Sequence, residues 1–271
     1  MKSISLNLIT LIALATNLTY AQKLPAVQQT SVRAPATLKI DGKADEWGGQ
    51  LQAYNKSTDV YYTIANDDEN LYLVVQAAKP RVIEKILSSG VTFTVNNAGK
   101  KSDKAKENAT IIYPLINFDF IYDILRKAGD KDVWSGSPGA SGPARPRMVT
   151  LTRTDSTVVL ANKAFYDRAK NIKTGGINDI PDTISIYNEH QIKVAAIFDN
   201  KGGYTYELAL PLKYVGLSID RLQKFSYNIK LNNRGYTTGN YMDRASGQMM
   251  DADPDLDSVT DFWGDYTLAK K

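Results

Sequence analysis

The chain has 271 residues, 43% of them hydrophobic, and a formal net charge of +4. That suffices for one large domain with a substantial core, and the charge is too evenly spread to mark a nucleic-acid surface. The absence of cysteine excludes disulfides, thiolate nucleophiles and thiolate metal sites.

Residues 1–21 read as a signal peptide. Lys2 supplies a positive end, Ile4 to Leu18 is mostly apolar, and Thr19-Tyr20-Ala21 ends in a small residue suited to cleavage. The apolar run is shorter than the ~20 residues a membrane span needs, and no later stretch reaches that length. The expectation is an exported protein, periplasmic or extracellular, with no membrane span.

Residues 22–35 read as an irregular lead-in, and 36–271 as a single β-sandwich domain. Thr37 to Ile40 is expected as a first strand, followed by Asp41-Gly42 turn chemistry and Trp47. Residues 60–77 carry the densest strand signal. Val60, Tyr62 and Ile64, then Leu71, Leu73 and Val75, alternate with their neighbours across the acidic turn Asn66-Asp67-Asp68-Glu69, which predicts a hairpin. The turn is itself a candidate calcium cluster, with a solvated turn as the alternative.

Val82, Ile83, Ile86 and Leu87 fall at helical spacing between Pro80 and Gly90, which predicts a helix. A strand follows at Val91–Val95. Residues 98–182 come next. They open with the Lys100–Lys106 run, expected to be a solvated loop. Ile111–Asn117 is read as a strand, and Phe120 to Leu125 as a helix stopped by Gly129. Residues 134–147 form a Gly/Pro-rich loop. Met148–Arg153 and Thr157–Leu160 are read as short strands, and 161–182 as mixed. Clearer strands follow at Thr183–Tyr187, Ile192–Phe198, Tyr204–Leu210 and Phe225–Leu231. Residues 232–261 are read as a long polar loop, and Phe262–Leu268 as the last strand. Many short strands without βαβ alternation predict an all-β, antiparallel β-sandwich with short helical and loop insertions.

Several segments carry candidate chemistry. Trp134 opens the Gly/Pro loop without apolar neighbours at strand or helix spacing, and it can serve as a stacking ring for sugar C–H faces or as a plug. In the strand at Phe225–Leu231 and just beyond it, Asn228 and Asn232 share a face with Ser226 and Lys230, a polar face that could line a groove. The loop beyond adds Arg234, Tyr236 and Tyr241. Amides, a guanidinium and aromatic rings are the groups with which proteins hold sugars. Asp251, Asp253, Asp255 and Asp257 alternate in a run of hard oxygen ligands that suits calcium. The EF-hand pattern fails there, with Leu256 at the glycine position and Phe262 at the glutamate position, so a non-EF calcium site is the candidate. The single histidine, His190, excludes a histidine zinc cluster. Neither it nor Met242, Met249 or Met250 has spacing that supports haem ligation. Glu207 has no partner carboxylate identified by the sequence, although a glycosidase needs two about 5–10 Å apart.

Four segments together resemble family 9 carbohydrate-binding modules, in particular the exported Bacteroidetes type. They are Ile40-Asp41-Gly42 with Asp45-Glu46-Trp47, Asn66 to Tyr72, Tyr206 to Leu212 with Gly216-Leu217, and Trp263-Gly264 to Leu268. The resemblance covers roughly residues 36–269, and because family 9 modules are shorter it implies that residues 98–182 are insertions. It implies a jelly-roll-like sandwich that binds sugar, often beside calcium, with Trp47 and Trp263 read as buried scaffold. The function expected is an exported, non-catalytic carbohydrate-binding protein whose partner is a glycan or oligosaccharide. An envelope protein holding a protein partner is the alternative, and a glycoside hydrolase a lower one.

Overall fold

The computed structural model describes residues 23–49, 51–127, 154–221, 223–233, 241–242, 249–250 and 254–271. The expected signal peptide and Met148–Arg153 strand lie outside the described residues. No helix among those described is long and apolar enough to cross a membrane.

The fold is an antiparallel β-sandwich. One sheet has five strands: β1 (Ala53–Asn55), β2 (Val60–Asn66), β3 (Asn70–Ala77), β9 (Tyr204–Pro211) and β8 (Lys193–Phe198), in that order. The other has six: β13 (Thr260–Thr267), β10 (Lys224–Leu231), β4 (Val91–Asn96), β5 (Asn108–Tyr113), β6 (Asn171–Gly175) and β7 (Thr183–Ser185). A two-residue pair, β11 (Tyr241–Met242) with β12 (Met249–Met250), stands apart. Helices α1 (Pro80–Ser89), α2 (Phe118–Lys127), α3 (Asp155–Arg168) and the short α4 (Pro254–Asp257) lie in the connections.

Period-2 alternation places the core. Tyr62, Ile64, Leu73 and Val75 from the first sheet meet Phe93, Val95, Ile111, Tyr227 and Ile229 from the second, all at most 1% exposed. Tyr62 and Tyr227 join the sheets through their hydroxyls at 2.9 Å. The lead-in seals one open side of the sandwich. Gln28 is buried, its backbone N–H donates to the Tyr62 hydroxyl, and its amide exchanges two hydrogen bonds with Ile64.

Several elements differ from those expected from the sequence. Thr37–Ile40 is not a strand; it leads into Asp41 and Gly42, which bond Glu207 on the five-stranded sheet. Thr157–Leu160 belongs to α3, because Thr154 and Thr157 form a capping box and Ala161, Ala164 and Phe165 bury one helical face. The β-branched run had suggested a strand, and helical packing overrides that preference. The Ile111–Asn117 strand starts and ends earlier, at 108–113, since Pro114 has no N–H for the ladder. Finally, the 232–261 stretch contains β11, β12 and α4.

Candidate functional site

The outer faces of the two sheets carry the chemistry. On the five-stranded sheet, Thr63, Val74 and Glu207 form a row across β2, β3 and β9, all at most 1% exposed. Residues 41–47 cover Glu207. Asp41 and Gly42 donate their backbone N–H groups to Glu207 Oε2 at 3.1 and 2.9 Å, and Trp47 Nε1 donates to Oε1 at 3.2 Å. Gly42 allows the approach. It sits at φ +84°, and a Cβ there would lie 3.0 Å from the β8 backbone at Ala196. Burial pushes the Glu207 carboxyl up to about 7, against the three hydrogen bonds that favour its charged form. A raised carboxyl is a mark of catalytic acids, but this one is sealed beneath its own partners and holds the Ile40–Trp47 motif in place.

The outer face of the six-stranded sheet is polar. Register puts Trp263, Asn228, Thr94 and Thr110 in one row, and Asp265, Ser226, Asn96 and Asn108 in the next. Asn228 and Ser226 therefore share a face with Lys230, as the alternation predicts. They do not line an open groove, because residues 97–107 fold across them. Ser226 Oγ donates to Lys100 O, Asn108 donates to Ser102 O, and Lys230 pairs with Asp103. The Lys-rich loop is thus solvated on one side and a cover on the other. Asn228 is fully buried and donates to Asp261 Oδ2 and Phe262 O, while its own oxygen has no partner. Asn232 bonds Ser89 O, Gly90 O and Thr92 Oγ1, which ties β10 to the end of α1.

Trp263 is half-buried on this polar face and outside the hydrophobic core, which differs from its reading as buried scaffold. It lines a cleft of about 400 Å³ at the β13 edge, between that strand and lead-in residues 27–31. Gln29, Thr30 and Ser31 are exposed along one wall. Lys101 and Lys224 reach Asp265 Oδ2 from the other, at 3.1 and 3.0 Å. Burial alone would raise the Asp265 carboxyl, but hydrogen bonds from the two lysines hold it below the usual carboxylate range.

A flatter aromatic site lies on the other sheet, where the Tyr54 and Tyr61 rings stand 4.7 Å apart beside Gln76. Tyr54 donates to Asp59, which also holds Lys79 at 2.6 Å.

Of the other candidate residues, Trp134, Arg234, Tyr236, Asp251 and Asp253 lie outside the described residues. Tyr241 is in β11, and Asp255 and Asp257 are in α4 rather than an extended loop. The Asn66–Glu69 cluster is a structural turn. Asp67 accepts the Glu69 and Asn70 amides and the Tyr72 hydroxyl, and Asp68 pairs with Arg33 and Lys271. Among the described residues no group of three or more acidic, histidine or cysteine side chains is placed to hold a metal. In comparison with known proteins, no family model and no curated protein matches the chain.

Proposed function

We propose that this is an exported, non-catalytic carbohydrate-binding protein that holds a glycan in the cleft at the β13 edge. The observation that carries the reading is Trp263, a half-buried indole on a polar sheet face, in a cleft walled by an exposed amide, hydroxyls and ammonium groups. An aromatic ring offers a surface for sugar C–H groups, and the surrounding donors and acceptors suit sugar hydroxyls. The resemblance of the four ordered segments to family 9 carbohydrate-binding modules supports the same reading.

A glycan array probed with the purified protein, in calcium and in EDTA, is the test. Binding that falls about tenfold in Trp263→Ala, with the melting temperature kept in Trp263→Phe as a folding control, supports the proposal; tenfold corresponds to about 1.4 kcal/mol, the scale of one stacked ring. No binding at millimolar sensitivity overturns it. Calcium is part of the proposal through the 251–257 segment, and binding indifferent to EDTA removes it.

A protein partner is the second reading. Val159, Leu160 and Tyr166 of α3 and Tyr187 beside it are 51–68% exposed, an apolar and aromatic patch of the kind that docks proteins.

A further inference from the structure

We propose that the β13-edge cleft selects glycans that carry negative charge, with Lys101 and Lys224 as the groups that read it. The inference rests on the glycan reading above and adds the class of sugar.

Three observations carry it. First, the charge in the cleft is unbalanced. Among its described lining residues Lys101 and Lys224 are the two ammonium groups and Asp265 is the one carboxylate. Both lysines bond the same oxygen, Asp265 Oδ2, so one carboxylate is shared between two cations and one positive charge stays uncompensated.

Second, different elements supply these lysines. Lys101 comes from the loop folded over the polar sheet face, and Lys224 opens β10. Asp265 lies two residues from Trp263 on the same side of β13. The fold therefore brings two cations to the neighbourhood of the ring that would stack the sugar.

Third, the ammonium groups are available. Their side chains are 45% and 67% exposed, against 31% for Asp265. Exposed pairs of this kind are weak, and each ammonium has three donors. Either lysine can turn toward a ligand anion while the other stays on Asp265. A neutral sugar would use the ring and the hydroxyl wall but leave the extra charge unanswered. A carboxylate or sulfate ester on the sugar would answer it.

The test compares matched polymers on the full-length protein: polygalacturonate against its fully methyl-esterified form, and dextran sulfate against dextran, at low and moderate salt. Isothermal titration is expected to show at least one acidic polymer binding roughly tenfold tighter than its neutral partner, the gain of one or two charge contacts. Binding of polygalacturonate alone assigns a carboxylate ligand; preference for both acidic polymers assigns anionic glycans in general. The preference of the acidic polymer over its neutral partner should disappear in the Lys101→Met/Lys224→Met double variant, with an unchanged melting temperature as the folding control. Asp265→Asn should strengthen acidic binding.

Equal binding within both pairs overturns charge selection and leaves the glycan reading intact. Binding to none of the four polymers, alongside a positive glycan array, also overturns it. A negative array removes both proposals. Acidic binding that survives Trp263→Ala but vanishes at moderate salt is diffuse adsorption, and overturns the assignment to this cleft.

Discussion

Glu207 gives the sharpest prediction, because one buried carboxyl carries the attachment of a whole segment. Its ordinary value near 4.5 is raised to about 7. A carboxyl whose folded value lies above its unfolded one binds its proton more tightly in the folded state. Its contribution is fully present below pH 4.5 and is lost as pH rises toward 7. Taken whole, that shift corresponds to about 3 kcal/mol. Asp41 is exposed and Trp47 only half-buried, so water reaches the rim and screening reduces the expected loss to about 1–2 kcal/mol. Glu207→Gln keeps the shape and removes the titration. Its oxygen can still accept the Asp41 and Gly42 N–H groups, but its NH₂ then faces the Trp47 indole N–H, at a cost of about 1–2 kcal/mol at pH 5. Urea unfolding followed by tryptophan fluorescence at pH 5, 6 and 7 measures both effects. The native protein should lose stability across this range and the variant should stay level, so their curves converge toward pH 7. Parallel curves for the two proteins would refute the assignment.

Two further predictions concern the motif pieces that flank the candidate site. Gly264→Ala would place a Cβ 2.3 Å from Tyr227 Cζ and Oη, on a buried ring held by Tyr62. It should cost about 1–3 kcal/mol, read as a lower urea midpoint at unchanged slope. Asp67→Ala strips the β2–β3 turn of its bonds from the Glu69 and Asn70 backbone N–H groups and the Tyr72 hydroxyl and should cost about 1–2 kcal/mol. Burial tends to raise the Asp67 carboxyl, but its hydrogen bonds from Tyr72, Glu69 and Asn70 win and hold it below 3.8. The native protein should therefore lose this contribution only as pH falls below about 4, and thermal melts from pH 5 to 2 should show a steeper decline for native protein than for Asp67→Asn.

The alternation in β2, β3, β9 and β10 was legible because each strand buries one face against the other sheet, so period 2 is imposed by the core. The same logic could have placed Trp263. It alternates with Asp261 and Asp265 against Phe262, Gly264 and Tyr266, and belongs by parity to the polar face. The tryptophan's own hydrophobicity obscured that. Residues 97–107 were harder. Nothing local says that Lys100 O will meet Ser226 or that Lys101 will reach Asp265, since these partners lie more than 120 residues away. The role of Glu207 was hidden for the same reason: its three donors come from residues 41–47. β6 was missed because the inward Ile172 and Thr174 alternate over only five residues, Asn171–Gly175, and the strand is held by pairing with the distant β5.

The two outer faces leave little open surface for a ligand. Both sheets present polar rows to the outside, and both rows are largely covered: residues 41–47 over Glu207, residues 97–107 over Ser226 and Asn228. Each cover satisfies buried polar groups that would otherwise be costly, so neither can lift without exposing unpaired partners. What stays open is the margin. On the five-stranded sheet that margin is the Tyr54–Tyr61 pair, a flat surface whose polar neighbours Asp59 and Lys79 already bond one another. On the six-stranded sheet it is the Trp263 cleft, between lead-in residues 27–31 and β13, which meet where Ser31 Oγ donates to Thr267 O. Concavity favours the second, because a walled ring contacts more of a bound sugar than a flat pair does. The lead-in is thus both the seal on the core, through Gln28, and one wall of the cleft. A variant that loosens Gln28 should weaken glycan binding along with stability, whereas one at Tyr61 should leave both nearly unchanged.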